Sequence, residues 1–419
     1  MDFNNNNEVK LIENLVWSFF KWILIALLTG FIGGVIGSIF NLAVRYATGF
    51  REMNPWLIWL LPAGGALIAL MYSVSKMEHE NTDSIIDSIR EGTRAPILLT
   101  PCIFIATLIT HICGGSAGRE GAALQIGGSI GANVAALLHL DDKDLRLATL
   151  CGMSAVFSAL FGTPVTAAIF ALEFISVGIF YYSGLIPCLV SAITAFGINK
   201  LFHIPATHFQ VPLESLSLDM LWRVAILAVF CAVISTAFCF SVQYFASVAR
   251  RRCPNTYLRA VIGGVIIIGL TYLVGCTDYN GTGQTQLMNA LESGVAKPSA
   301  FFWKILFTAV TLGCGFRGGE IIPTFFIGAT FGCVVGPLLG IPAQFAASIG
   351  LISVFCGAVN CPIASIVLAI ELFQSDFAIV YFALACGISY MLSGYYGLYQ
   401  SQKIMYSKTL AEYINIKAK

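Results

Sequence analysis

Charge is what this chain has least of. Only 11% of its 419 residues are Asp, Glu, Lys or Arg, against about a quarter in a soluble domain of ordinary composition. The formal net charge is +1, so nothing points to nucleic acid. Thirteen cysteines and five histidines fall into no ligand spacing, and no metal or other cofactor is expected. Cys102, Cys113, Cys231, Cys239 and Cys314 sit inside apolar runs and read as small buried fillers. His111, two residues before Cys113, reads as a satisfied core histidine. Alternation of apolar and polar residues is also lacking, which excludes a porin-like barrel. No short apolar stretch with a cleavage site follows "MDFNNNNEVKLI", so no signal peptide is expected and the first helix should direct insertion.

What is abundant is apolar length. Hydrophobic residues make up 57% of the chain, and mean hydropathy is +0.82. Runs such as "WILIALLTGFIGGVIGSIF" (22–40), "VAILAVFCAVISTAFCFSV" (224–242) and "VIGGVIIIGLTYLVG" (261–275) are of bilayer-spanning character. The chain is therefore expected to be an all-α polytopic membrane protein. The cluster Arg250, Arg251, Arg252 marks a cytoplasmic loop.

The apolar pattern repeats. "GREGAALQIGGSIG" (118–131) matches "GGEIIPTFFIGATFG" (318–332), with Glu120 and Glu320 in equivalent places. "FGTPVTAAIFALEF" (161–174) matches "VNCPIASIVLAIEL" (359–372), and in each a proline precedes a glutamate, Pro164 before Glu173 and Pro362 before Glu371. "NTDSIIDSI" (81–89) lines up loosely with "GTGQTQLMNAL" (281–291). A register of roughly 200 residues held across separated landmarks indicates two repeats, and in membrane proteins such repeats are commonly inverted around a central site. The expected organisation is a polar segment at 1–14, a first repeat at 15–205, a second at 215–410 and a tail at 411–419, with no appended soluble domain. Glu173 and Glu371, by their symmetry, are expected to share a structural task such as bonding loop amides. "NGT" at Asn280 is a glycosylation pattern, but its place at a helix start argues against modification.

Several elements are too short or too glycine-broken to span. The segments 83–91 and 285–293 and both glutamate motifs read as helices that begin within the membrane. Such starts present unpaired N–H groups and the positive end of a dipole, and are tolerated only where protein or a water-filled cavity covers them. Several together make an anion site without a fixed cation.

These residues resemble the CLC chloride channels and transporters. "GREG" with "QIGGSIG" is similar to that family's second signature, "GGEIIP" to its third, and "ENTDS" (80–84) stands where its first signature usually reads GSGIP. "GYYGLYQSQK" (394–403) resembles the start of its last helix. The likeness runs from about residue 20 to 410. It implies two inverted repeats of broken, tilted helices, a homodimer with one anion pathway per subunit, and a multi-pass place in the plasma membrane. It implies that Glu120 is a gate that competes with the anion and moves aside when protonated; a carboxylate paired with Arg119 is the structural alternative. It assigns anion binding to Asn81, with Thr82 as the alternative, to Tyr399, with Tyr395 and Tyr396 nearby, and to backbone at Ile321, Gly118 and Arg119. Gly121 and Phe174 join Thr82 as pathway candidates.

The departures from the chloride pattern share one reading. Asn81 replaces a serine, Glu320 stands where most relatives have an apolar residue, Phe174 replaces an intracellular glutamate, and "GREGA" lacks a proline. All of these features resemble the family's fluoride-exporting branch. The expected cargo is therefore fluoride exchanged for protons, with Glu320 as a second acidic station. A chloride/proton antiporter and a passive chloride channel are the alternatives. An intramembrane enzyme using Glu120 and Glu320 would need a nucleophile or metal ligands that the sequence does not supply.

Overall fold

A computed structural model describes residues 5–374 and 378–419. Its sixteen helices fall into two runs of eight. The first comprises α1 (Asn5–Met53), α2 (Leu61–Val74), α3 (Thr82–Glu91), α4 (Leu99–Cys113), α5 (Glu120–Leu137), α6 (Asp142–Phe161), α7 (Pro164–Glu173) and α8 (Leu185–Leu201). The second comprises α9 (Leu218–Arg252), α10 (Thr256–Val274), α11 (Gln284–Met288), α12 (Ala300–Gly313), α13 (Ile321–Val335), α14 (Ala343–Val359), α15 (Pro362–Phe373) and α16 (Ile379–Leu392). Each helix of the first run has its counterpart in the second. Residues 202–217 link α8 to α9.

Among the described residues, seven helical segments are long and apolar enough to cross a membrane; others, α3 and α11 among them, are not. The long α1 takes in residues from Asn5 onward, so most of the polar stretch expected at 1–14 extends a helix. Close crossings explain the glycines. In α5 and α6, a side chain on Gly127 or Gly152 would run into the other's carbonyl, and Gly328 of α13 and Gly350 of α14 repeat this contact. Small residues at such crossings let apolar helices pack by van der Waals contact, which carries association where water is absent.

Glu173 and Glu371 carry the structural task expected of them. Glu173 accepts N–H bonds from Ile363 at 3.1 Å and Ala364 at 2.8 Å, at the start of α15. Glu371 accepts from Val165 at 3.1 Å and Thr166 at 2.8 Å, at the start of α7. Each repeat thus caps a helix of the other, and a carboxylate is the favoured partner for those orphan donors.

The C-terminal part departs from expectation. No helix begins in 394–403; the chain runs irregularly into a short sheet. β1 (Ser176–Val177) pairs in parallel with β2 (Lys403–Tyr406), which pairs antiparallel with β3 (Tyr413–Lys417). The physical reason is local. "YINIK" alternates between exposed and half-buried positions, a period that suits a strand and not a helix, and "KIMY" pairs with it. The tail expected at 411–419 is therefore built into the fold.

Candidate functional site

The two glutamate motifs meet at the centre. Gly118 donates its N–H to Gly319 O at 2.6 Å, and Gly319 donates back to Gly118 O at 2.7 Å, an antiparallel bridge between the repeats. A side chain on Gly319 would stand 2.6 Å from the amide nitrogen of Glu120, which is why only glycine fits there. The bridge consumes the Gly118 N–H, so that amide faces the other repeat and not a pathway.

Glu120 opens α5 and is fully buried. Its Oε2 accepts from the backbone N–H of Arg119 at 3.0 Å and of Ile322 at 3.4 Å. The second donor belongs to the first turn of α13, so a carboxylate occupies a helix-start anion position. Its Oε1 has no hydrogen-bond partner and lies 3.6 Å from Arg119 Nε. The Arg119 guanidinium is engaged elsewhere too, donating to Asn41 Oδ1 at 2.6 Å.

Two cavities approach this point. One, of about 440 Å³, is lined by Asn81, Thr82, Asp83, Gln125, Glu320 and Tyr399. Arg250, Arg259 and Arg317 form another part of its wall, and none of them makes an ion pair among the described residues. Arg250 belongs to the basic cluster at the end of α9, which the sequence marks as cytoplasmic, so this cavity is termed the inner one and the next the outer one. The other, of about 500 Å³, is lined by Arg45, Arg119, Thr282, Thr285 and Ile322 among others. Glu120 lines neither. Its amide donors, Arg119 and Ile322, line the outer cavity, while Glu320 and Gln125 line the inner one. The buried Glu120 thus neighbours residues of both cavities.

The inner wall gathers several expected residues. Asn81 caps α3: its Oδ1 accepts from Ser84 N–H at 2.9 Å, and Ser84 Oγ accepts from Asn81 N–H at 3.1 Å. Its carboxamide oxygen is thus engaged, while the NH₂ has no partner among the described residues. Thr82 Oγ1 accepts from Gln125 Nε2 at 3.1 Å. Tyr399 donates its hydroxyl to Glu320 Oε2 at 3.3 Å. Glu320 stands at the N-cap of α13, and Ile321, the first residue of that helix, is buried. Gly121 leaves room for the Glu320 carboxylate, because a methyl there would lie 2.7 Å from Oε2.

Other candidates are placed differently. Phe174 lines neither cavity; it packs edge-on against Tyr399, with centroids 4.8 Å apart, and against Phe170 at 5.0 Å. It backs the tyrosine. Tyr395 donates or accepts at Ser407 Oγ, 3.1 Å away, and Tyr396 is partly buried against the core. His111 is a buried core residue, its Nε2 3.3 Å from Gly118 O. Asn280 is also buried and donates to Gly114 O at 2.9 Å, which removes the glycosylation pattern from consideration.

Sequence reasoning missed Gln125, Asp83 and the arginines of the inner wall. Gln125 had a signal, as a polar residue within an apolar, glycine-rich helix. Arg259 and Arg317 had none, because only the fold brings α10 and the third motif beside α3.

This arrangement has relatives. Residues 64–394 match the family described as voltage gated chloride channel. A "Chloride/fluoride channel protein" of Pseudomonas syringae pv. tomato is 34% identical over 397 residues, covering 93% of this chain and 87% of that protein. An "H(+)/Cl(-) exchange transporter ClcA" of Vibrio campbellii is 26% identical, covering 86% and 84%. Among solved structures, a CLC-type fluoride/proton antiporter superposes with a TM-score of 0.88 at 27% identity, covering 92% of this chain and 98% of that one. With the family match spanning most of its length, the chain belongs to the voltage gated chloride channel (CLC) family, as a multi-pass anion transporter of the cell membrane.

Proposed function

We propose that the protein is a fluoride/proton antiporter that exports fluoride. The observation that carries this reading is the Glu120 carboxylate, bonded to the Arg119 and Ile322 amides between two cavities. Those amides are donors that an anion would use. Ionised, Glu120 holds them and closes the path. Protonation weakens its acceptor oxygens, so the side chain leaves and an anion takes the Ile322 N–H in its place. One group then blocks the anion and carries the proton, which is what exchange requires.

Glu320 supports the fluoride reading. It shares the inner cavity with Asn81 and Tyr399 and sits at the start of α13, beside the same helix turn that Glu120 contacts. Protonated, it donates a hydrogen bond to a small, strongly accepting anion. It also offers a proton station on the inner side, where Phe174 offers none. Asn81 contributes its NH₂ and Tyr399 its hydroxyl. The likeness to a solved fluoride/proton antiporter at 27% identity agrees with this chemistry. The functional unit is proposed to be a homodimer in the lipid bilayer, with one pathway per subunit.

The test is parallel efflux of fluoride and chloride from proteoliposomes with pH recorded. Fluoride should leave faster than chloride, accompanied by proton uptake. Equal or faster chloride flux with protons would establish a chloride/proton antiporter instead; flux of either anion without proton movement would establish a passive channel.

A further inference from the structure

We propose that Asp83 and Asp87 are positioning residues that clamp Ser401 and thereby fix the distance between the Asn81 amide and the Tyr399 hydroxyl, on which anion preference depends. The inference rests on the fluoride reading above.

Tyr399 belongs to no helix; it stands in the irregular segment between α16 and β2. Its position depends on how that segment is tied. Leu398 donates its N–H to Ala358 O at 2.9 Å, and Gln402 Nε2 donates to Phe174 O and Val359 O, both at 2.9 Å. These bonds anchor the segment to the ends of α14 and α7. They say nothing about its distance from α3, the helix that carries Asn81.

That distance is set at Ser401. Its N–H donates to Asp83 Oδ1 at 2.7 Å, and its hydroxyl donates to Asp87 Oδ2 at 2.6 Å. Among the described residues these are the hydrogen bonds between the segment and α3. Asp83 and Asp87 lie one turn apart on the same helix face, so one residue is gripped at two points. Ser401 is buried, which shelters its own end of both bonds from competing water, while the Asp87 carboxylate is partly exposed and also pairs with Arg90. The lever arms are short: Asp83 is two residues from Asn81, and Ser401 is two residues from Tyr399. The clamp therefore joins two ends of the chain at the point where each contributes a donor to the inner cavity.

The consequence is selective. Fluoride is smaller than chloride and a stronger acceptor, so its donors must close further to replace the water it sheds. A donor misplaced by about 1 Å costs a well-oriented site roughly a hundredfold, and an anion that tolerates longer contacts loses less. Loosening the clamp should raise the fluoride KM and leave chloride little changed. A clamp that served only stability would reduce both fluxes in parallel.

The experiment measures fluoride and chloride KM for the full chain in liposomes, with Ser401→Ala, Asp87→Asn and Ser401→Thr beside the wild type. Ser401→Ala should raise the fluoride KM about tenfold, the effect of losing one hydrogen bond to a charged group, with chloride transport retained. Ser401→Thr, which keeps the hydroxyl, should restore the preference. If Ser401→Ala does not yield folded protein, Asp87→Asn reports the same bond at nearly constant shape. A wild type that prefers fluoride, with an unchanged fluoride-to-chloride ratio in folded variants, would overturn the clamp alone. Parallel loss of both fluxes would also overturn it. A wild type without fluoride preference would overturn the functional reading and the clamp together.

Discussion

Glu173 and Glu371 stand at matching places in the two repeats and do the same thing: each bonds two amides at a helix start in the opposite repeat. Glu120 and Glu320 also stand at matching places and do different things. Glu120 is buried against the Arg119 and Ile322 amides, while Glu320 turns to Tyr399 and the inner cavity. The helix starts before them diverge in the same way. Asn81 presents an amide to the inner cavity, whereas its counterpart region at Gly281 is packed against Arg51, and its carbonyl accepts from the buried Lys304 at 2.7 Å. Symmetry survives where a side chain only braces the fold. It is broken along the pathway, which has two different ends.

Substitutions should separate the two pairs. The largest effect is expected at Glu120→Gln, which cannot carry a proton: anion-driven proton movement should fall to background while anion flux remains, measured by simultaneous pH and anion electrodes. Persistent coupling would remove Glu120 as the gate. Next, Glu320→Gln should lower proton flux by about a hundredfold or more, the usual contribution of one positioned proton-transfer group. If proton flux were unchanged, Glu320 would belong with the braces. A smaller effect is expected for Asn81→Ser. A hydrogen bond to a charged group contributes about 1.5–3 kcal/mol, so weakening the one from Asn81 to fluoride should drop the fluoride-to-chloride ratio about tenfold; no change would shift the donor role to Thr82. The smallest effects on transport belong to the symmetric pair. Glu173→Gln and Glu371→Gln should each lower the thermal midpoint by several degrees, for a loss of about 1–3 kcal/mol, and by similar amounts. Neither should alter anion preference, and a change in preference from one alone would break the comparison.

The symmetric features were legible in the sequence because they are local. A proline, an apolar helix and a glutamate at fixed spacing announce a capped element, and finding the pattern twice announced a shared task. The glycines around Glu120 and Glu320 were likewise enough to place two helix starts. What the sequence hid was contact across long separations. Asp83 and Ser401 lie 318 residues apart, and nothing in "NTDS" or "QSQK" points from one to the other. The end of the chain was misread for another reason. Likeness to a family pattern suggested a helix after Gly394, while the strand-like alternation of "YINIK" was short enough to pass unnoticed. Phe174 was placed on the pathway by analogy with a glutamate; an aromatic ring at that point instead joins its aromatic neighbours and supports Tyr399.

The central claim is that one carboxylate alternates between the anion's donors and a proton. It is tested most directly by loading proteoliposomes with fluoride, imposing an outward fluoride gradient at equal internal and external pH, and following proton movement. Wild-type protein should drive protons inward, against the gradient they create, and Glu120→Gln should pass fluoride with no proton movement. Fluoride efflux from wild-type vesicles without proton uptake, or proton uptake that survives in Glu120→Gln, would contradict it.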